Sequence, residues 1–315
     1  MGIDGSDDSV VALRWAAWFA SLMRHRLVVA HAWQYGRRLE LSSPTPPEDV
    51  GELEADIVKT LWQLVVRELD DPAIVERCLA LRGPIVPALE SEAAESGAQL
   101  IVIGARGAGG ALRTLLGSVS RELTRVPRHL VAVVPPDAPV VAPDHRRIVV
   151  GVDGSDPAAR ALRWAAYAAA RADSEVVAVH AFTPPVLDPT QAEETSLLRE
   201  RRDRFEQEWC APLRAAGVAH RCVLEVGDPR EVLRRVADEY RPICGVVGSR
   251  GLGALSARLL GSVTHHVVRE LAWPVVVVPS PRDATIWPPP GLDPLRATEP
   301  SEPSAPSVDA GERPS

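Results

Sequence analysis

Two stretches of the chain have the residue types and spacing of an anion cradle. Residues 104–118 read Gly-Ala-Arg-Gly-Ala-Gly-Gly-Ala-Leu-Arg-Thr-Leu-Leu-Gly-Ser, and residues 248–262 read Gly-Ser-Arg-Gly-Leu-Gly-Ala-Leu-Ser-Ala-Arg-Leu-Leu-Gly-Ser. Both fit Gly-x2-Gly-x9-Gly-Ser, with Gly104, Gly107, Gly117 and Ser118 in one and Gly248, Gly251, Gly261 and Ser262 in the other. Gly109 and Gly253 also fall at matching places. Each copy follows a short apolar run, 100–103 or 243–247, that reads as a buried strand. A strand entering a glycine loop and then a helix start is suited to a phosphate. Glycines admit the anion close to the backbone, and the unpaired N–H groups of the helix terminus point at it. Ser118 and Ser262 would add a hydroxyl donor each. Lys59 is the one lysine and no Gly-Lys-Ser/Thr exists, so backbone, serine and arginine would have to do the holding.

A carboxylate accompanies each cradle. Residues 2–18 align with 151–167, placing Asp4 of Asp-Gly-Ser on Asp153 of the second Asp-Gly-Ser, Trp15 on Trp164 and, further on, His31 on His180. The offset is 149 at these positions and 144 at the glycine loops, as a five-residue loop difference would produce. A repeat of this length is a whole domain, so the chain is a tandem duplication and no solenoid. The expected divisions are a first domain over 1–135, a linker over 136–146, a second domain over 147–280 and a Pro-rich disordered tail over 281–315.

The elements that must position these residues alternate strand and helix. In the second half, strands are expected at 147–152, 175–181, 219–226, 243–247 and 275–278. Helices are expected at about 157–172 behind an Asp156 cap, at 191–215 as one long charged helix, at 229–240 behind Asp228, and from Ser262. The first half repeats the order, with strands near 27–33, 74–80, 100–103 and 129–134. Such alternation predicts an α/β protein of two tandem, doubly wound, five-stranded parallel sheets with helices on both faces. Ligands of such sheets bind beyond the strand ends where the strand order reverses. If strand one is central, Asp153 meets Gly248, Gly251, Gly261 and Ser262 across one crevice, and Asp4 meets Gly104, Gly107, Gly117 and Ser118 across another. An acid facing an anion cradle suits a nucleotide. The alternative for each part is structural: the glycines serving only a tight turn, and Asp4 and Asp153 only capping a turn and helix. In the first half only Met-Gly-Ile precedes the Asp-Gly-Ser, which leads us to expect a true start upstream of Met1.

Both halves resemble the universal stress protein family, in its subclass with the ATP-binding pattern just described. The Asp-Gly-Ser and the Gly-Asp-Pro at 227–229 also fit, and the resemblance covers about 1–135 and 146–280. It implies a Rossmann-like sheet in the order 3-2-1-4-5, and ATP, accompanied by Mg²⁺, bound without vigorous turnover. It also implies two domains pairing through their last strands, within one chain or in a homodimer. Departures are Pro84 where the second half has Asp228, Leu130 where it has Pro274, and Gln99 where the family usually has Asp. On this reading the protein is an ATP-dependent stress-response regulator; the alternatives are a slow ATPase and a scaffold that binds no nucleotide. His265 and His266 near the second cradle correspond to Arg121 and Glu122, so no catalysis shared by both halves can rest on them.

The bulk composition narrows the partners. A net charge of −7 over 315 residues argues against a general nucleic-acid binder, and part of that charge lies in the tail. No apolar run approaches the ~20 residues that cross a bilayer. Cys78, Cys210, Cys222 and Cys244 lack any Cys-x-x-Cys spacing and read as reduced packing thiols of a cytoplasmic protein.

Overall fold

The computed structural model describes residues 1–34, 50–107, 116–139, 146–183, 191–251, 260–270 and 272–280, with 191–195 as backbone only. The expected tail, the Pro-rich loop after the sixth strand, most of the linker and the middle of each glycine loop lie outside the described residues. Elements in chain order are α1 (Asp7–Met23), β1 (Leu27–Trp33), α2 (Val50–Glu68), β2 (Val75–Arg82), α3 (Ile85–Glu95), β3 (Leu100–Gly104), α4 (Ser118–Arg125) and β4 (Leu130–Val134). A 3₁₀ turn, Pro72–Ile74, leads into β2. The second half follows with β5 (Arg147–Gly151), α5 (Asp156–Ala172), β6 (Glu175–Phe182), α6 (Gln191–Arg204), α7 (Ala211–Ala215), β7 (His220–Val226), α8 (Pro229–Tyr240), β8 (Cys244–Gly248), α9 (Ser262–Glu270) and β9 (Val275–Val278).

Among the described residues, seven strands form one sheet in the order β3-β4-β9-β8-β5-β6-β7, and β1-β2 pair separately. Read within the second half, β7-β6-β5-β8-β9 is the expected 3-2-1-4-5. In the first half, Met1–Ile3 stands where a first strand belongs. The Gly2 N–H donates to Val102 at 2.9 Å on one side; Ile3 N–H donates to Ala30 at 2.9 Å and Ala30 N–H to Met1 at 2.8 Å on the other. Three residues are too short to merge the neighbours into one regular ladder, yet their backbone groups are paired on both sides. The two halves join through their last strands: β4 and β9 run antiparallel, with Val131 opposite Val277 and Val133 opposite Val275. Every residue of β4, β8 and β9 is buried, as befits strands covered on both faces.

The duplicated first helices close the seam. Trp15 stacks on Phe19 at 4.8 Å between centroids, and Phe19 lies 6.3 Å from Trp164 of α5. Trp15 Nε1–H donates to the Ile243 carbonyl at 3.3 Å, and Arg171 Nε–H donates to the Met23 carbonyl at 2.7 Å. Residues of both halves share one continuous apolar core on this face of the sheet.

Two local expectations are corrected. Ser155, and not Asp156, is the N-cap of α5, because its hydroxyl sits where it can accept the Ala158 N–H. The long helix expected at 191–215 is broken: α6 passes into a π-turn over Phe205–Trp209 and resumes as α7 after Cys210. Pro212 explains the break, since it lacks an N–H for the carbonyl four residues back and its ring crowds that carbonyl. Among the described residues, no helix is long and apolar enough to cross a membrane.

Candidate functional site

Asp4 and Asp153 build the same turn twice. Asp153 Oδ1 accepts the Ser155 N–H at 3.0 Å and the Ser155 hydroxyl at 2.6 Å; Asp4 Oδ1 accepts the same groups of Ser6 at the same distances. Between them, Gly5 and Gly154 take φ of +81° and +84°, where a side chain would be strained. Ser6 and Ser155 then cap their helices, accepting the N–H of Ser9 and Ala158, each at 3.3 Å. One carboxylate oxygen is thus committed to the turn.

The other oxygen reaches the glycine loop. A Cβ added to Gly107 would stand 2.5 Å from Asp4 Oδ2, and one added to Gly251 would collide with Asp153 Oδ2. Absence of a side chain is what lets each acid lie there. The remaining pattern residues divide by task. Gly104 and Gly248 permit packing: their Cβ atoms would lie 3.0 Å from the Asp8 carbonyl oxygen and 2.8 Å from Pro157, so the first turn of α1 or α5 can rest on the strand end. Gly117 and Gly261 close the loop, their N–H groups donating to Ala105 at 2.8 Å and Ser249 at 2.9 Å. Those two amides are therefore taken by protein. The helical ladders begin with Arg121 N–H on the Gly117 carbonyl and His265 N–H on that of Gly261. Amides 118–120 and 262–264 thus precede the ladder and have no helical carbonyl to donate to. Ser118 and Ser262 are exposed at these helix starts. Gly109 and Gly253 lie outside the described residues.

Two residues of this architecture escaped the sequence reading. Ser120 Oγ donates to the Gly104 carbonyl at 2.8 Å, and Thr264 Oγ1 to that of Gly248 at 2.7 Å, tying each helix start to the end of its strand. The signal was available, since both halves place a hydroxyl two residues beyond Gly-Ser. His31 and His180 are likewise positioning groups: each Nδ1 bonds a carbonyl of the central segment, Ile3 or Val152, at 2.8 Å. A carbonyl only accepts, so Nδ1 carries the proton in both. Burial lowers the pKa of His180.

The halves then diverge. Arg106 of the first loop is paired to Asp8 at 2.8 Å, both side chains largely buried; the position matching Asp8 is Pro157, and Arg250 reaches Ser280 at 3.4 Å. A Cβ on Gly5 meets nothing within 4 Å among the described residues, whereas on Gly154 it would stand 2.5 Å from the Trp209 ring. Trp209 therefore walls the second turn, with His180 edge-on to it at 4.9 Å and Phe205 behind. Beside Ser262 a hollow of about 390 Å³ is lined by Arg230, His265, His266 and Arg269. Among the described residues, no group of three or more His, Cys, Asp or Glu side chains could hold a metal ion.

The Universal stress protein family matches residues 1–135 and again 145–279. The chain belongs to the universal stress protein family. Two universal stress proteins of Mycobacterium tuberculosis are each 30% identical to it, over 291 and 293 residues, covering 88% of this chain and 95% or 94% of their own. The fold is shared with a universal stress protein of Archaeoglobus fulgidus, at a TM-score of 0.60 and 21% identity over 88% of this chain and 96% of that one. A putative universal stress protein of Pseudomonas aeruginosa has a TM-score of 0.56 at 17% identity, over 86% and 88% of the two chains.

Proposed function

We propose that this universal stress protein binds ATP in the crevices between each Asp-Gly-Ser turn and its glycine loop, as a cytoplasmic regulator without strong catalysis. The observation that carries the reading is the juxtaposition, made twice, of a turn-bound carboxylate and a loop glycine, Gly107 or Gly251, that leaves room for it, beside a helix start. Each half over 1–135 and 147–280 is then one binding unit. Asp4 and Asp153 would meet the sugar or base. The amides opening α4 and α9, with Ser118 and Ser262, would meet the phosphates. Gly107 and Gly251 fit this use because a side chain there would fill the cradle. Mg²⁺ would arrive on the phosphates, whose charge it offsets.

Binding is favoured over phosphoryl transfer because the candidate bases are not duplicated. His265 and His266 beside one cradle are replaced by Arg121 and Glu122 beside the other, and the one lysine, Lys59, belongs to α2 and to neither glycine loop. The test is to quantify nucleotide released on denaturing the purified chain, then to titrate Mg-ATP into stripped protein. One or two ATP per chain are expected, with a rise in stability of about 2.7 kcal/mol at about 100 times Kd. Gly117→Val and Gly261→Val assign the sites to their halves. No nucleotide and no shift at millimolar ATP would leave a scaffold.

A further inference from the structure

Cys210 and Cys222 lie twelve residues apart in sequence, with sulfurs 3.3 Å apart. Cys210 is fully buried at the junction of the π-turn and α7; Cys222 is half-buried on β7, the edge strand of the sheet. Nothing in the ATP-binding reading uses either thiol. Cys244 is buried on β8 and Cys78 on β2, and neither has a sulfur partner among the described residues. We propose that Cys210 and Cys222 are an oxidation site: hydrogen peroxide joins them as an intrachain disulfide, which fixes the Phe205–Trp209 turn and its indole wall beside Asp153-Gly154-Ser155.

The placement favours this outcome over packing alone. The sulfurs already stand 3.3 Å apart, so a bond of about 2.05 Å asks them for only a small further approach. One partner, Cys210, sits where the helix is already irregular, so its backbone is not held by an unbroken α-ladder. Arg214 stands over the same segment, donating to the carbonyls of Glu206 and Gln207. The residue before Cys210 is Trp209, whose ring is the wall against Gly154. A covalent tie at Cys210 therefore acts one residue from the crevice.

The chemistry is balanced with peroxide as the oxidant. The Cys222 thiolate is the attacking group, because it is the more exposed of the two and because its close pairing with the Cys210 sulfur lowers its pKa while raising that of Cys210. Attack on one peroxide oxygen breaks the O–O bond, giving the Cys222 sulfenic acid and hydroxide, which takes up the proton Cys222 released on ionising and becomes the first water. Cys210 sulfur then attacks the sulfenic sulfur. Its proton leaves with the displaced oxygen as water, so two thiols and one peroxide become a disulfide and two waters.

The test treats the full chain with a small excess of hydrogen peroxide and reads intact mass, peptide map and amide hydrogen exchange. We expect the loss of two hydrogens, a Cys210–Cys222 cross-linked peptide, reversal by dithiothreitol, and slower exchange over 205–215 in the oxidised form. Cys222→Ser, at the half-buried position, is expected to abolish the cross-link while the thiols of Cys78 and Cys244 stay reduced. If Cys210→Ser fails to fold, thiol alkylation of the native chain before and after peroxide gives the same answer. Both thiols remaining alkylatable, over-oxidation of Cys222 without a cross-link, or unchanged exchange over 205–215 would each overturn the proposal. None of these readouts involves ATP, so they stand apart from the outcome of nucleotide titration.

Discussion

The two Asp-Gly-Ser turns have matching internal hydrogen bonds, yet their surroundings differ. The turn at Asp4 stands beside an arginine tethered to Asp8 and has open space over Gly5 among the described residues. The turn at Asp153 has a proline where that acid would be, and an indole against Gly154. Four residues suffice to fix the turn itself: an acid to accept, a glycine to take positive φ, a serine to cap, and a facing glycine to leave room. What surrounds it is set by distant segments, and these are where a duplicated fold acquires two different sites.

The comparison would break most sharply at the seam the halves share. Trp15 is wholly buried and bonds across to the second half, so Trp15→Ala is expected to cost about 4 kcal/mol, within the range for a buried tryptophan. The loss should appear as one cooperative denaturant transition moved to lower midpoint. Two separated transitions would mean that the halves fold as independent units. Next in size are the hydroxyl ties. Thr264→Val keeps the shape and removes the donor to Gly248, and Ser120→Ala does the same to Gly104; each is expected to cost about 1–2 kcal/mol. Equal effects would mark the tie as common architecture, and unequal ones a difference in how firmly each cradle is held.

Smaller effects separate the halves. Asp8→Ala releases a partly buried ion pair present only in the first, with an expected cost of about 1 kcal/mol that shrinks as salt is raised. Measuring the midpoint at two ionic strengths checks it. Protonation supplies the last test. Burial lowers the pKa of His25, His129 and His180 below the ordinary 6.5, so the unfolded chain binds more protons than the folded one as pH falls. Stability should therefore drop as pH falls from 6.5 toward those folded values and level off above it. His180→Gln is expected to flatten that slope, which melting curves across the range will read; an unchanged slope would mean that His180 keeps an ordinary pKa.

Much of this was legible in residues. Alternating apolar strands and amphipathic helices gave the α/β layers because each element buries a face dictated by its period. The duplication supplied what one copy could not, the same pattern twice, and a strand order reversing beside strand one brought Asp4 to Gly107 and Asp153 to Gly251. The Ser155 cap was misassigned to Asp156 because two capping residues stand side by side, and only geometry says whose oxygen reaches Ala158.

Sequence alone determined the local pieces: the strand runs, the Asp-Gly-Ser turns with their obligatory glycines, and the glycine loops that follow strands. These depend on neighbours along the chain, where sterics and a few hydrogen bonds decide. Tertiary structure decided the rest. It spent the amides of Gly117 and Gly261 on closing the loops, brought Trp209 onto Gly154, and set the sulfurs of Cys210 and Cys222 3.3 Å apart. The last two depend on where a broken helix lands on a distant strand, and packing of the whole core fixes that position.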